Sequence, residues 1–170
     1  IMFKSIFETP IWVVDCDPAK IELTSKNFKN NWLSGTPSSF SQNPEDNVMT
    51  QDGTNYLKQK ILNCLEDLNI ADCEIFQIWR NIYNGDFQER HVHVNSNFSF
   101  TVYEELTEPQ TIFYHPAHDL IYATGVEEKI IPYYAPEVTK NQMILFPSYL
   151  EHLVKKSVGS MTISGNVRLK

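Results

Sequence analysis

Cysteine is scarce in this 170-residue chain, and the three present, Cys16, Cys64 and Cys73, are odd in number, far apart and free of any CxxC pair. That excludes a disulfide framework and a zinc ribbon, and leaves reduced core thiols. Positive charge is also short: 14 Lys+Arg stand against 21 Asp+Glu, a formal charge of −7. A chain this acidic repels phosphate backbones and anionic lipid, so nucleic acid and membrane are excluded as partner classes. No window approaches the roughly 20 consecutive apolar residues of a spanning helix. The first residues lack the basic, apolar and small-residue order of a signal peptide, which makes a soluble cytoplasmic protein the expectation. Neither GxSxG nor a P-loop occurs, and Ser148, Ser99 and Cys64 have no base in a nucleophile motif beside them, so hydrolase and kinase chemistry fall away.

What the chain does have is ordinary globular composition, 42% hydrophobic and 12% aromatic, at a length that suits one domain over residues 1–170. Its first part, 1–72, reads as a strand around Pro10, a weak amphipathic helix from Pro18 to about Asn30 and a Ser/Pro/Asn-rich loop over Ser34 to Gly53. A clear helix follows, because Leu57, Ile61, Cys64, Leu65 and Leu68 repeat at helical spacing after a cap from Asp52 or Thr54, and its apolar face should lie on a sheet.

Residues 73–170 change rhythm. Short runs rich in Ile, Phe, Tyr, Val and Trp predict strands over 74–83, 91–94, 98–106, 111–115, 129–135, 142–146, 152–156 and 160–169. Turn signals separate them at Asn84-Gly85-Asp86, Glu108-Pro109, Pro116-Ala117, Thr124-Gly125 and Lys140-Asn141. The fold class is therefore mainly β, a jelly roll or barrel of the cupin-like, double-stranded β-helix kind, with one or two N-terminal helices packed on the outside.

His91 and His93 sit at i and i+2, which on a strand places both imidazoles on one face. A third imidazole, His152, follows an apolar strand and the Pro147-led turn. In a double-stranded β-helix a late strand brings such a residue beside the first pair, and three imidazoles leave about half of an octahedral shell open, as iron(II) chemistry with oxygen requires. On the strand before them Gln77, Trp79 and Asn81 alternate on one face leading towards His91, and are candidates for a substrate pocket. His115, His118 and Asp119 form an HxxH-Asp cluster that reads as a solvated loop, and Glu104-Glu105 and Glu127-Glu128 read as solvated pairs.

Trp79-Arg80-Asn81 to Gly85, His91-Val92-His93, Ser99 to Tyr103, Phe113 to Pro116, Phe146-Pro147-Ser148, His152 and Ile163-Ser164-Gly165-Asn166 together resemble the 2-oxoglutarate/Fe(II)-dependent oxygenases common in marine phages and bacteria, relatives of the prolyl 4-hydroxylase group. Phe7 to Trp12 and Trp32-Leu33-Ser34-Gly35 are similar to that family's opening. The resemblance implies an iron(II) dioxygenase that uses 2-oxoglutarate to hydroxylate a peptidyl or small-molecule substrate. It makes His91 and His152 iron ligands and puts His93 where the wider superfamily has an Asp, so the site would carry one more positive charge than two His and a carboxylate give.

The family's oxoglutarate-binding Arg falls at Ser160, which leaves Tyr103, Ser160 and Lys156 as the candidate cosubstrate contacts. Arg168 shares the face of Ser160 but lies about 26 Å along an extended strand, too far to substitute there. A cupin reading shares the architecture and the three histidines: Gly85 and His91-x-His93 match its first motif, Pro147 and His152 part of its second, and it needs no oxoglutarate. A jelly-roll module without catalysis stays open beside both. The partner classes that remain are a small-molecule or peptidyl substrate and a homodimer.

Overall fold

The computed structural model describes residues 8–108 and 111–170. Residues 1–7 of the opening strand expected around Pro10, and Pro109 of the expected Glu108-Pro109 turn, lie outside the described residues.

Strand β1, Trp12–Asp15, alternates half-buried and exposed positions, with Trp12 and Val14 packed on the core. Asp17 then accepts the Ala19 N–H at 3.0 Å and Pro18 opens a helical turn, but the helix expected to Asn30 stops after one 3-10 turn, Pro18–Ile21. Glu22 and Asn27 take left-handed φ values of 51° and 54°, which no α-helix tolerates. The chain instead forms β2 (Thr24–Ser25), β3 (Lys29–Asn30), β4 (Pro37–Ser38), a second 3-10 turn (Pro44–Asp46) and β5 (Asn47–Val48), giving the expected loop over 34–53 short pairings of its own.

Helix α1, Gln51–Leu65, begins at Thr50, whose Oγ1 accepts the Gly53 N–H at 3.0 Å, so the cap is neither Asp52 nor Thr54. Leu57, Ile61, Cys64 and Leu65 bury their side chains in one cluster with Cys16, Ile21, Phe100, Val102 and Ile163, which sets α1 on the sheet as its apolar face predicts. The stripe ends there; Leu68, past the helix, is 44% exposed.

The remaining elements are β6 (Cys73–His91), β7 (Phe98–Glu105), β8 (Thr111–Tyr114), helix α2 (His118–Ala123), β9 (Tyr133–Tyr134), β10 (Gln142–Pro147) and β11 (His152–Leu169). Antiparallel pairing runs in the order β1-β10-β7-β11-β6-β4-β3, and the first residues of β11 also pair with β8, which carries β9. Two expectations fail together. Asn84-Gly85-Asp86 is not a turn, and 152–156 and 160–169 are not separate strands: β6 and β11 run 19 and 18 residues without a break. Gly85 and Gly159 take φ values of 95° and 80°, and the register of β6 against β11 shifts between Val154 and Ser160. Glycines in left-handed conformations admit extra residues as bulges, which bend a ribbon without ending its ladder.

Side-chain alternation on β10 divides the core. Met143 and Leu145 join the cluster under α1, while Ile144 and Phe146 join Tyr103, Phe113, Val138 and Leu150 on the other face. Glu104, expected in solvent, instead accepts from the Arg80 Nε and Nη2 at 2.6 and 2.8 Å. The three cysteines are free and buried, and burial pushes the Cys16 thiol up to about 11. Among the described residues no helix is long and apolar enough to cross a membrane.

Candidate metal centre

His91 is the last residue of β6 and pairs in register with His152, the first residue of β11. The ladder ends at His91, so the strand expected over 91–94 does not form. His93 is held instead by its backbone N–H, which donates to the Ser148 carbonyl at 3.0 Å. All three rings nevertheless converge, with one ring nitrogen from each lying within 4.8 Å of the others. Ring centroids are 4.2 Å apart for His91 and His152, 5.2 Å for His93 and His152 and 5.3 Å for His91 and His93.

Each ring is oriented by its Nδ1. The acceptors are the Glu89 carbonyl at 2.6 Å for His91, the Leu150 carbonyl at 3.0 Å for His152, and the Asn166 Oδ1 at 2.7 Å for His93. A carbonyl or amide oxygen can only accept, so each Nδ1 carries the proton and each Nε2 keeps its lone pair. Asn166 is itself fixed: its Nδ2 donates to the Gln77 Oε1 at 2.8 Å, and its Oδ1 also accepts from the Ser99 hydroxyl at 2.9 Å.

Burial holds all three rings below the ordinary histidine range. His93 falls to about 4, chiefly through desolvation and then through the neighbouring His91. His152 is held well below the usual range by burial, with both partner rings adding to it. The centre therefore presents three neutral, preoriented nitrogen donors at neutral pH, a set that fits a divalent transition metal.

The centre faces two spaces. The inner one, about 20 Å³, is walled by His152, Gln88, Tyr103, Thr111, Thr162 and Ser164, with no Lys or Arg among the described residues on it. The outer one is a cleft of about 880 Å³ with His91 and His93 on its surface beside Trp32, Phe40, Trp79 and Asn166. Trp79 stacks on His93 at 5.8 Å and 21°, and Phe40 meets Trp79 edge-on at 5.0 Å.

Of the candidate pocket residues, Trp79 and Gln77 line the outer cleft. Asn81 is buried away from it, donating to Thr162 and Ser164 at 3.3 Å each. Tyr103 is fully buried with its hydroxyl 2.8 Å from the Thr111 hydroxyl. Ser160 is bonded into a hydroxyl cluster with Ser157 and Thr107 at 2.7 and 3.2 Å, and Lys156 is exposed. Sequence reasoning missed the positioning role of Asn166 and the place of Trp32, set 4.6 Å from the His91 ring. His118, expected in solvent, is buried on α2 with its Nε2 beside Arg90 and Asp119.

No family model matches the sequence, and no curated protein does. Solved structures match by fold. The chain is similar to a Pseudomonas putida prolyl-4-hydroxylase (14% identity, 79% of this chain and 70% of that one, TM-score 0.52). It is also similar to a Trichoplax adhaerens prolyl hydroxylase in complex with a hypoxia inducible factor peptide fragment (9%, 92% and 82%, TM-score 0.53). A third match is HygX from Streptomyces hygroscopicus with nickel, 2-oxoglutarate and hygromycin B bound (10%, 95% and 84%, TM-score 0.54). At these identities the likeness is one of architecture: the chain has the antiparallel jelly-roll fold of these proteins, with three convergent imidazoles able to hold a metal.

Proposed function

We propose that the chain is a single-domain Fe(II)-dependent oxygenase of the double-stranded β-helix type, using 2-oxoglutarate to hydroxylate a peptidyl or small-molecule substrate. The observation that carries the reading is the convergence of three Nδ1-anchored imidazoles, His91, His93 and His152, at the meeting of β6 and β11. Iron(II) held there supplies the centre at which dioxygen is activated. The residues around it orient it: Asn166, Glu89 and Leu150 set the rings, while Trp32 and Trp79 form an apolar wall that excludes water from the face where a substrate would lie.

The cosubstrate's place follows from size and charge. The inner space of about 20 Å³ suits one water, not a five-carbon dicarboxylate, and the described residues offer no cation there. Contacts from Tyr103 and Ser160 would require their present hydroxyl partners to be exchanged. The outer cleft has the room, so substrate and cosubstrate share that approach. The same small inner space favours a second reading, a metal-holding jelly roll with cupin-like chemistry or none, and without oxoglutarate turnover.

Succinate formation from 2-oxoglutarate and oxygen, after anaerobic loading with iron(II), tests the reading. Iron-dependent succinate is the expected outcome, coupled to a substrate or not. Bound iron with no succinate at all selects the second reading.

A further inference from the structure

Alternate residues of β11 share one face, and that face passes from the inner space to the outer cleft. Thr162 and Ser164 wall the inner space, Asn166 holds His93, and Arg168, about 7 Å further along, lines the outer cleft. The Arg168 guanidinium is fixed at two points: its carbon lies 3.8 Å from the Phe76 ring centroid, and its Nε donates to the Asn95 carbonyl at 3.2 Å. Neither Nη1 nor Nη2 has a hydrogen bond or ion pair among the described residues.

In a chain of formal charge −7, no Asp, Glu or Lys among the described residues lines this cleft, and Arg168 is the one permanent charge among them. The other walls are aromatic and amide surfaces, among them Trp79, Phe40 and Gln77. The side chain is exposed, and a fork of two free NH2 groups, placed over an aromatic ring on a cleft that no carboxylate among the described residues lines, matches the geometry of a carboxylate.

We propose that Arg168 anchors the carboxylate of an organic acid in the outer cleft, with the body of the acid lying across Trp79 towards His91 and His93. This deepens the oxygenase reading and rests on it for what happens at the metal. Two sources share this chemistry: the substrate itself, or 2-oxoglutarate, for which the inner space of about 20 Å³ is too small.

The test measures binding to the full chain by calorimetry and by the emission of Trp32 and Trp79, with 2-oxoglutarate, 3-phenylpropionate and the neutral 3-phenylpropanamide as probes. At least one acid is expected to bind tenfold or more tightly than the amide; 2-oxoglutarate identifies a cosubstrate anchor and 3-phenylpropionate a substrate anchor. Arg168→Gln, with an unchanged melting temperature, should abolish the preference, and Arg168→Lys should restore part of it. Equal binding of acids and amide, or an undiminished preference in Arg168→Gln, overturns the proposal. The preference should persist in His152→Ala. A preserved preference in a wild type that binds no iron leaves the anchor standing and removes the oxygenase reading. Iron binding without the preference does the reverse.

Discussion

Replacing Asn166 by leucine separates the metal centre from the fold around it. Asn166 is 5% exposed, and its Oδ1 accepts the His93 Nδ1–H at 2.7 Å and the Ser99 hydroxyl at 2.9 Å. Leucine fills similar volume but leaves the imidazole N–H without a partner, while Ser99 keeps a bond to Ser148 at 2.8 Å. One buried donor left unpaired costs about 1–3 kcal/mol. Loss of the group that fixes a ligand's tautomer and ring angle lowers metal affinity by about 10–100-fold. Asn166→Asp keeps the acceptor and adds a negative charge against the imidazole, so metal affinity should be retained or rise. Competition of cobalt(II) or iron(II) between the protein and a chromophoric chelator reads the affinity, and urea unfolding reads the stability. The reasoning fails if the leucine variant is less stable yet binds metal as tightly as the wild type, since His93 would then not be a ligand.

Acid should weaken the metal-free protein. Because burial holds His93 at about 4 against 6.5 for the free side chain, the unfolded state takes up its proton first as pH falls. Stability is therefore full above about pH 7 and declines between 6.5 and 4, by about 3 kcal/mol from His93 alone; His91 and His152 act in the same direction. An unchanged urea midpoint between pH 7 and 4.5 would contradict this. Gly53→Ala should destabilise by about 1–3 kcal/mol, although the exchange usually favours a helix, because the added Cβ would lie 2.0 Å from the Ile21 carbonyl oxygen. A raised melting temperature would show that α1 does not press on that turn.

The parts legible in the sequence are those governed by short-range periodicity. The stripe Leu57, Ile61, Leu65 gave the helix and its buried face, and the spacing of His91, His93 and His152 gave the residues that the fold brings together. Glycine misled. Asn84-Gly85 has the composition of a hairpin turn, and whether a left-handed glycine turns the chain or merely bulges it is decided by the strand alongside, here β11, which no local window contains. The helix expected after Pro18 failed for a related reason: its cap is real, but only the left-handed backbone at Glu22 ends it after one turn. Asn166 and Arg168 were legible as residues but not as roles. Their value comes from lying where one face of β11 passes the histidines and continues along the outer cleft, a long-range fact of register.

Iron(II) binding by the wild type and by His91→Ala, His93→Ala and His152→Ala, measured anaerobically on folded protein, tests the central claim most directly. One iron per wild-type chain, with most of it lost in each single variant, is the predicted result. A wild type that binds no iron, or variants that hold it as well as the wild type does, would contradict the account.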